Sequence, residues 1–138
     1  MQRVERSVFG ELNGKPIHLF RLANANGMVA ELLEFGGRIK ALCIPDGKGG
    51  TDNMSVGYDT FEPYHARFNP WLGALLGRTA SRITGAQFQI DGKAYNLSAS
   101  GPAGSSMHGG FVGFDSRVWA GEADSDATGA TLKLTYLS

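Results

Sequence analysis

Apolar and polar residues alternate in short runs along most of this chain, and no long stretch keeps the spacing of an amphipathic helix. In KPIHLFRLANANG, residues 15–27, Ile17, Leu19 and Arg21 fall on one face of a strand and His18, Phe20 and Leu22 on the other. The run ends at Asn-Ala-Asn-Gly, a turn signal. MVAELLEFGG and RIKALCIPDGKGG read as two more strands, separated by Gly36-Gly37 and closed by Pro45-Asp46-Gly47. The clearest hairpin is AQFQIDGKAYNL: Phe88 and Ile90 alternate with polar residues before Asp91-Gly92, and Tyr95 and Leu97 do so after it. Asp-Gly supplies the positive φ angles of a two-residue type I′ turn. RVWAGEA and ATLKLTYLS read as two final strands joined by DSDATG.

Two segments are less regular. Residues 51–70 carry two prolines and scattered aromatics, which predicts a long loop packed down by its own side chains. WLGALLGRTASRI follows, and its apolar run fits a short helix or a buried strand equally well. The expected fold is therefore all-β, about eight strands in one domain spanning residues 1–138. LKLTYLS ends on an apolar strand with no polar tail, and such an edge invites self-association or pairing with a further polypeptide.

Composition narrows the partners. Lys+Arg and Asp+Glu are both 13, so no net charge draws the chain to nucleic acid or an acidic membrane surface. The amino terminus, MQRVERSVFGELNG, has no apolar run of signal-peptide length, and no segment approaches the length of a membrane span. A cytoplasmic location is the default expectation. The single cysteine, Cys43, lies in the apolar run ALCIP and reads as a small buried hydrophobe.

Candidate chemistry is sparse. His18 in its strand and His65 in the aromatic loop read as structural or solvent-facing. His108 stands among Ser105, Ser106, Gly109 and Gly110, small residues that leave a side chain accessible and let a ligand approach the backbone. On that ground alone a turn histidine and a functional one both stay open. Arg78 and Arg82 lie four apart in a mostly apolar segment; one is expected to pair with a carboxylate and the other to donate to hydroxyl oxygens. Asp115 is expected to accept from backbone N–H groups in its own turn. No histidine or cysteine set has metal-ligand spacing, and GKGGTDN lacks the ending of a phosphate-binding loop.

Three segments in order carry a family resemblance: LEFGGRIKALCIPDGKGGTDNMSVGYDTFEPY, LGALLGRTASRITGAQFQIDGKAYNL and SSMHGGFVGFDSRVW. Together they resemble the N-terminal part of the aldose 1-epimerase (galactose mutarotase) family, from about Phe9 to the last residue. The resemblance implies an antiparallel β-sandwich, here an incomplete N-terminal part. It implies interconversion of the α and β anomers of free hexoses such as glucose and galactose, without metal or organic cofactor. A carboxylate base takes the C1 hydroxyl proton and a histidine acid protonates the ring oxygen, so the ring opens, rotates and recloses.

Carried over by position, Arg82 matches an arginine that contacts the sugar, and His108 matches the histidine beside the ring oxygen. Ser81 stands where the family usually has asparagine, as does Ser105, three before His108; both shortenings remove an amide. The resemblance places the family's acid histidine, a sugar-binding aspartate and its base glutamate beyond residue 138. The expectation is thus a chain with part of a sugar site and no activity alone. The alternative expectation is a non-catalytic carbohydrate-binding or assembly module.

Overall fold

The computed structural model describes residues 3–66, 70–127 and 129–138. It is built from antiparallel strands, as the alternation requires. β1 (Val4–Leu12), β2 (Lys15–Ala23), β3 (Val29–Leu33), β4 (Arg38–Pro45) and β5 (Thr51–Asn53) form one five-stranded sheet in sequence order. Each connection is a short turn, so neighbours in sequence are neighbours in space. β1 is a strand that the hydrophobic pattern did not single out. Most of its side chains are exposed, so burial leaves little alternation to read. Its pairing with β2 shifts register between Val8 and Gly10. A Cβ on Gly10 would lie 2.3 Å from that of Phe61, so the glycine admits the aromatic against the backbone.

Both faces of β2 are covered, because Ile17 and Phe20 point to opposite sides and are 1% and 2% exposed. Ile17 joins Leu33, Phe35, Phe61 and Tyr64 in the core. Phe61 and Tyr64 come from the loop expected to pack on its own side chains. That loop contains a single helical turn, α1 (Glu62–His65), with Pro63 in its first turn, where a missing N–H costs nothing. The Tyr64 hydroxyl accepts the Tyr58 N–H at 2.7 Å, and the two rings meet edge-on. The part of that loop at residues 67–69 lies outside the described residues.

The remaining strands form three two-stranded sheets. β6 (Arg82–Ile83) pairs with β9 (Ser106–Met107). β7 (Gln87–Ile90) and β8 (Lys93–Asn96) are the expected hairpin, and Asp91 and Gly92 have φ of 49° and 77°, as a type I′ turn demands. β10 (Ala120–Ser125) and β11 (Ala130–Thr135) form the last hairpin. It lies against the large sheet, where Gly121 sits over the Phe20 ring with no room for a Cβ. Phe35 bridges to Val118, and the Gly36 and Trp119 N–H groups donate to Arg117 and Glu34 carbonyls. WLGALLGRTASRI is neither of the two elements its apolar run allowed: apart from Arg82–Ile83 it is irregular, held by turns and by hydrogen bonds to the first sheet.

Candidate functional site

The two-residue ladder of β6 and β9 is what assembles the site. Arg82 lies opposite Met107 and Ile83 opposite Ser106, so GRTASRI and MHGG run side by side. One step further, the His108 N–H donates to the Ser81 carbonyl at 2.9 Å. The Ser81 N–H in turn donates to His108 Nδ1 at 3.1 Å. A backbone N–H cannot accept, so the neutral imidazole carries its proton on Nε2. Nε2 has no partner among the described residues and is the donor this histidine has to offer.

The backbone here is strained. Ser81 and His108 have φ of 62° and 51°. The left-handed region costs a residue with a side chain about 1–2 kcal/mol. Such outliers persist where the surroundings over-determine them, and they cluster at ligand sites. Gly109 follows with φ of 94°, and a Cβ there would lie 1.9 Å from the Gly77 carbonyl oxygen. The first glycine of MHGG is therefore a packing requirement that sets His108 against the Gly77–Ser81 segment.

Around His108 the structure adds Trp71 and Arg38, which the sequence reading did not single out, and gives Asp115 a further partner. The Trp71 ring lies 4.9 Å from the His108 ring, centroid to centroid, tilted by 55°. Asp115 is buried and electrostatically coupled to His108. Burial holds the Asp115 carboxyl above the ordinary carboxylate range; Arg38, its own backbone N–H and His108 oppose that shift less strongly. Arg38 is 1% exposed and places Nη2 3.9 Å from Asp115 Oδ2. Nη2 also donates to the Asp115 carbonyl at 3.2 Å, and Nη1 to the Leu72 carbonyl at 3.1 Å. Burial lowers the Arg38 pKa, with Asp115 the strongest opposing influence. An arginine directly after Gly36-Gly37 and inside an apolar strand was the available signal for this residue.

Other expectations resolve as follows. Arg82 and Ser81 are exposed; Ser81 engages His108 through backbone rather than hydroxyl, and Arg82 follows it in the chain, opposite Met107. Ser105 is buried, and its hydroxyl donates to Pro102 O within its own turn, at 2.7 Å. Among the described residues neither Arg78 nor Arg82 pairs with a carboxylate; the arginine that does so next to this site is Arg38. Asp115 accepts from its own turn as expected, but it also faces Arg38. His18 is structural: its Nδ1 lies 2.8 Å from Oε1 of the buried Glu34. His65 is exposed and rests on the Phe61 ring. Cys43 is half-buried rather than fully buried.

A cavity of about 520 Å³ lies close by but is not centred on His108. It lies behind Gly109, between the β7–β8 hairpin and the chain end, and includes Phe88, Leu97, Val112, Phe114 and Tyr136 with Arg78 and Arg117 at its rim. Its lining mixes these apolar side chains with polar ones, among them Thr79, Asn96 and Ser98, and His108 is not part of it. Among the described residues no group of three His, Cys, Asp or Glu side chains could hold a metal ion. No helix among them is long and apolar enough to cross a membrane.

The family model described as aldose 1-epimerase matches residues 18–138. Galactose mutarotase of Rattus norvegicus is 36% identical over 121 residues, which are 86% of this chain and 34% of that protein. Aldose 1-epimerase of Escherichia coli K12 is 35% identical over 107 residues, 78% of this chain and 30% of that protein. The crystal structure of galactose 1-epimerase from Lactobacillus acidophilus NCFM superposes with a TM-score of 0.80 at 24% identity, covering 95% of this chain and 37% of that one. The chain thus spans about a third of the length of the curated relatives it matches.

Proposed function

The chain belongs to the aldose 1-epimerase family, and from that premise we propose that it carries the part of a hexose site that binds the sugar around its anomeric end. The observation that carries this reading is the reciprocal Ser81–His108 hydrogen bonding beside Arg82, which commits Nδ1 and leaves Nε2–H as a directed donor. In this reading His108 donates to the ring oxygen or a neighbouring hydroxyl, and Arg82 donates to hydroxyl oxygens from the adjacent strand.

Interconversion of α and β anomers belongs, in this proposal, to a protein that also supplies a base and an acid. Asp115, a carboxylate near His108, is buried and turned to Arg38, so it is not a base for a C1 hydroxyl. A general acid and a general base each contribute on the order of 10²–10⁴-fold, so the chain alone is expected to leave mutarotation at the buffer rate.

Titration of the chain with galactose, followed by NMR of the His108 imidazole, tests the binding reading. Saturable shifts are expected, lost in His108→Ala and Arg82→Ala; a flat titration of the folded chain would refute it. Polarimetry on freshly dissolved α-glucose tests the second half, and mutarotation above buffer that disappears in His108→Ala would overturn the assignment of no turnover.

A second reading, an assembly module, draws on the last hairpin. Among the described residues β11 pairs only with β10 within its sheet, and Leu137 is 95% exposed just beyond it. An unpaired strand edge of this kind favours self-association or cover by another polypeptide. A concentration-independent monomer in light scattering would count against it.

A further inference from the structure

Trp71 is a large side chain in a conformation that large side chains avoid. Its φ is 28°, outside the regions open to bulky residues, yet the residue is 37% exposed. Full burial of the side chain therefore does not offset strain of this kind. It is imposed by the segment that carries it. Ile39 N–H donates to the Gly73 carbonyl at 3.0 Å, Leu75 N–H to Gly36 O at 2.9 Å, and Arg38 to Leu72 O. Gly73 fits only as glycine, since a Cβ would meet the Ile39 oxygen at 2.2 Å. β4 thus clamps residues 72–75 and fixes where the indole stands.

It stands against His108. At 4.9 Å between centroids and 55° between planes, the two rings are in contact without stacking flat, and both residues stay partly exposed, so they form two walls of one corner. His108 is fixed on its side by Ser81, and Trp71 on its side by β4. With the ring centroids 4.9 Å apart, a ligand that accepts from the imidazole lies within reach of the indole. Rigid aromatic walls next to a few directed donors are how small polar ligands with apolar faces are held.

We propose that Trp71 is a sugar-binding residue: its indole is the apolar platform for the C–H face of the hexose whose oxygen accepts from His108. The proposal rests on the hexose-site reading above and extends it to a residue outside the matched motifs. Hexopyranoses carry such a face because their ring hydrogens are apolar while their hydroxyls project outward. The platform supplies contact area and orientation, leaving hydrogen bonding to His108 and Arg82.

The test is a galactose titration of the 138-residue chain, read on the indole N–H resonances. Trp119 is the internal control, since its Nε1 is already committed to Phe114 O at 3.1 Å. The Trp71 resonance is expected to move with the saturation curve and the Trp119 resonance to stay. Trp71→Phe should bind within about twofold of the parent. Trp71→Ala should bind about tenfold more weakly, the size expected from removing on the order of 50 Å² of apolar contact. A saturable titration in which the Trp71 signal stays still, or in which Trp71→Ala binds like the parent while His108→Ala does not, overturns this proposal and leaves the hexose site standing. No saturation in the parent chain overturns the hexose site and this proposal with it. If Trp71→Ala fails to fold, the indole resonances of the parent decide.

Discussion

Ser81 and His108 each donate a backbone N–H to the other: His108 N–H to the Ser81 carbonyl, and Ser81 N–H to the His108 imidazole. One pair of residues thereby sets the position, the tautomer and the free nitrogen of the candidate site's histidine. It follows that neutral His108 is the Nε2–H tautomer. The ¹⁵N shifts of the imidazole at neutral pH should show Nε2 protonated and Nδ1 as the acceptor; the opposite pattern would mean that the Ser81 bond is not made.

Ser81 pays a backbone cost for this arrangement, with φ at 62°. Asparagine tolerates the left-handed region better than serine does. Ser81→Asn is expected to raise stability by about 0.5 kcal/mol in urea melts, and to tighten galactose binding through the added amide. A loss of stability would indicate that the asparagine side chain does not fit beside His108.

Gly109 has no such latitude. Its φ of 94° and the 1.9 Å gap from a Cβ to the Gly77 oxygen combine strain with a clash against backbone. Gly109→Ala should cost at least about 3 kcal/mol, which for a small domain is much of its stability. Retention of parental stability in denaturant titration would show that the 108–110 turn can reposition.

The Arg38–Asp115 contact joins β4, the Leu72 carbonyl and the turn after Gly113. Removing one member of a buried pair leaves the other uncompensated. Arg38→Met should therefore destabilise the chain by about 3 kcal/mol in urea, and the 71–75 segment should gain amide exchange.

Asp115 also makes stability depend on pH. Its folded carboxyl is held above the unfolded value, chiefly by burial. Between those two values the folded state binds more protons than the unfolded state, so stability falls as pH rises through that window. The Asp115-linked share is fully present below the ordinary carboxylate range and lost above the raised folded value. In Asp115→Asn this share of the slope disappears, which urea midpoints compared at several pH values would reveal. A parallel pair of curves would argue against it.

Much of the architecture was legible from alternation and turn chemistry. The strands over residues 15–23, 29–33 and 38–45 and the Asp91-Gly92 hairpin follow from apolar residues recurring every second position between glycine and asparagine turns. β1 escaped that reading because it is an exposed edge strand, recruited by pairing with β2 rather than by a buried face. The motifs GRTASRI and MHGG marked Arg82 and His108 as candidates, but spacing along a chain carries no information about which nitrogen of a histidine is committed.

By itself, then, the sequence determined an antiparallel all-β chain of the aldose 1-epimerase family and pointed to Arg82 and His108. Both are short-range properties: strand period, turn geometry and local motif. The tertiary structure alone decided that Ser81 orients His108, that Trp71 walls the same corner, and that Arg38 rather than Arg78 or Arg82 pairs with Asp115. These contacts join residues far apart in sequence. They depend on a two-residue ladder between β6 and β9 and on the clamping of the 71–75 segment to β4. Such pairings are selected by packing and hydrogen-bond satisfaction across the whole fold, not by the propensities of the residues that make them.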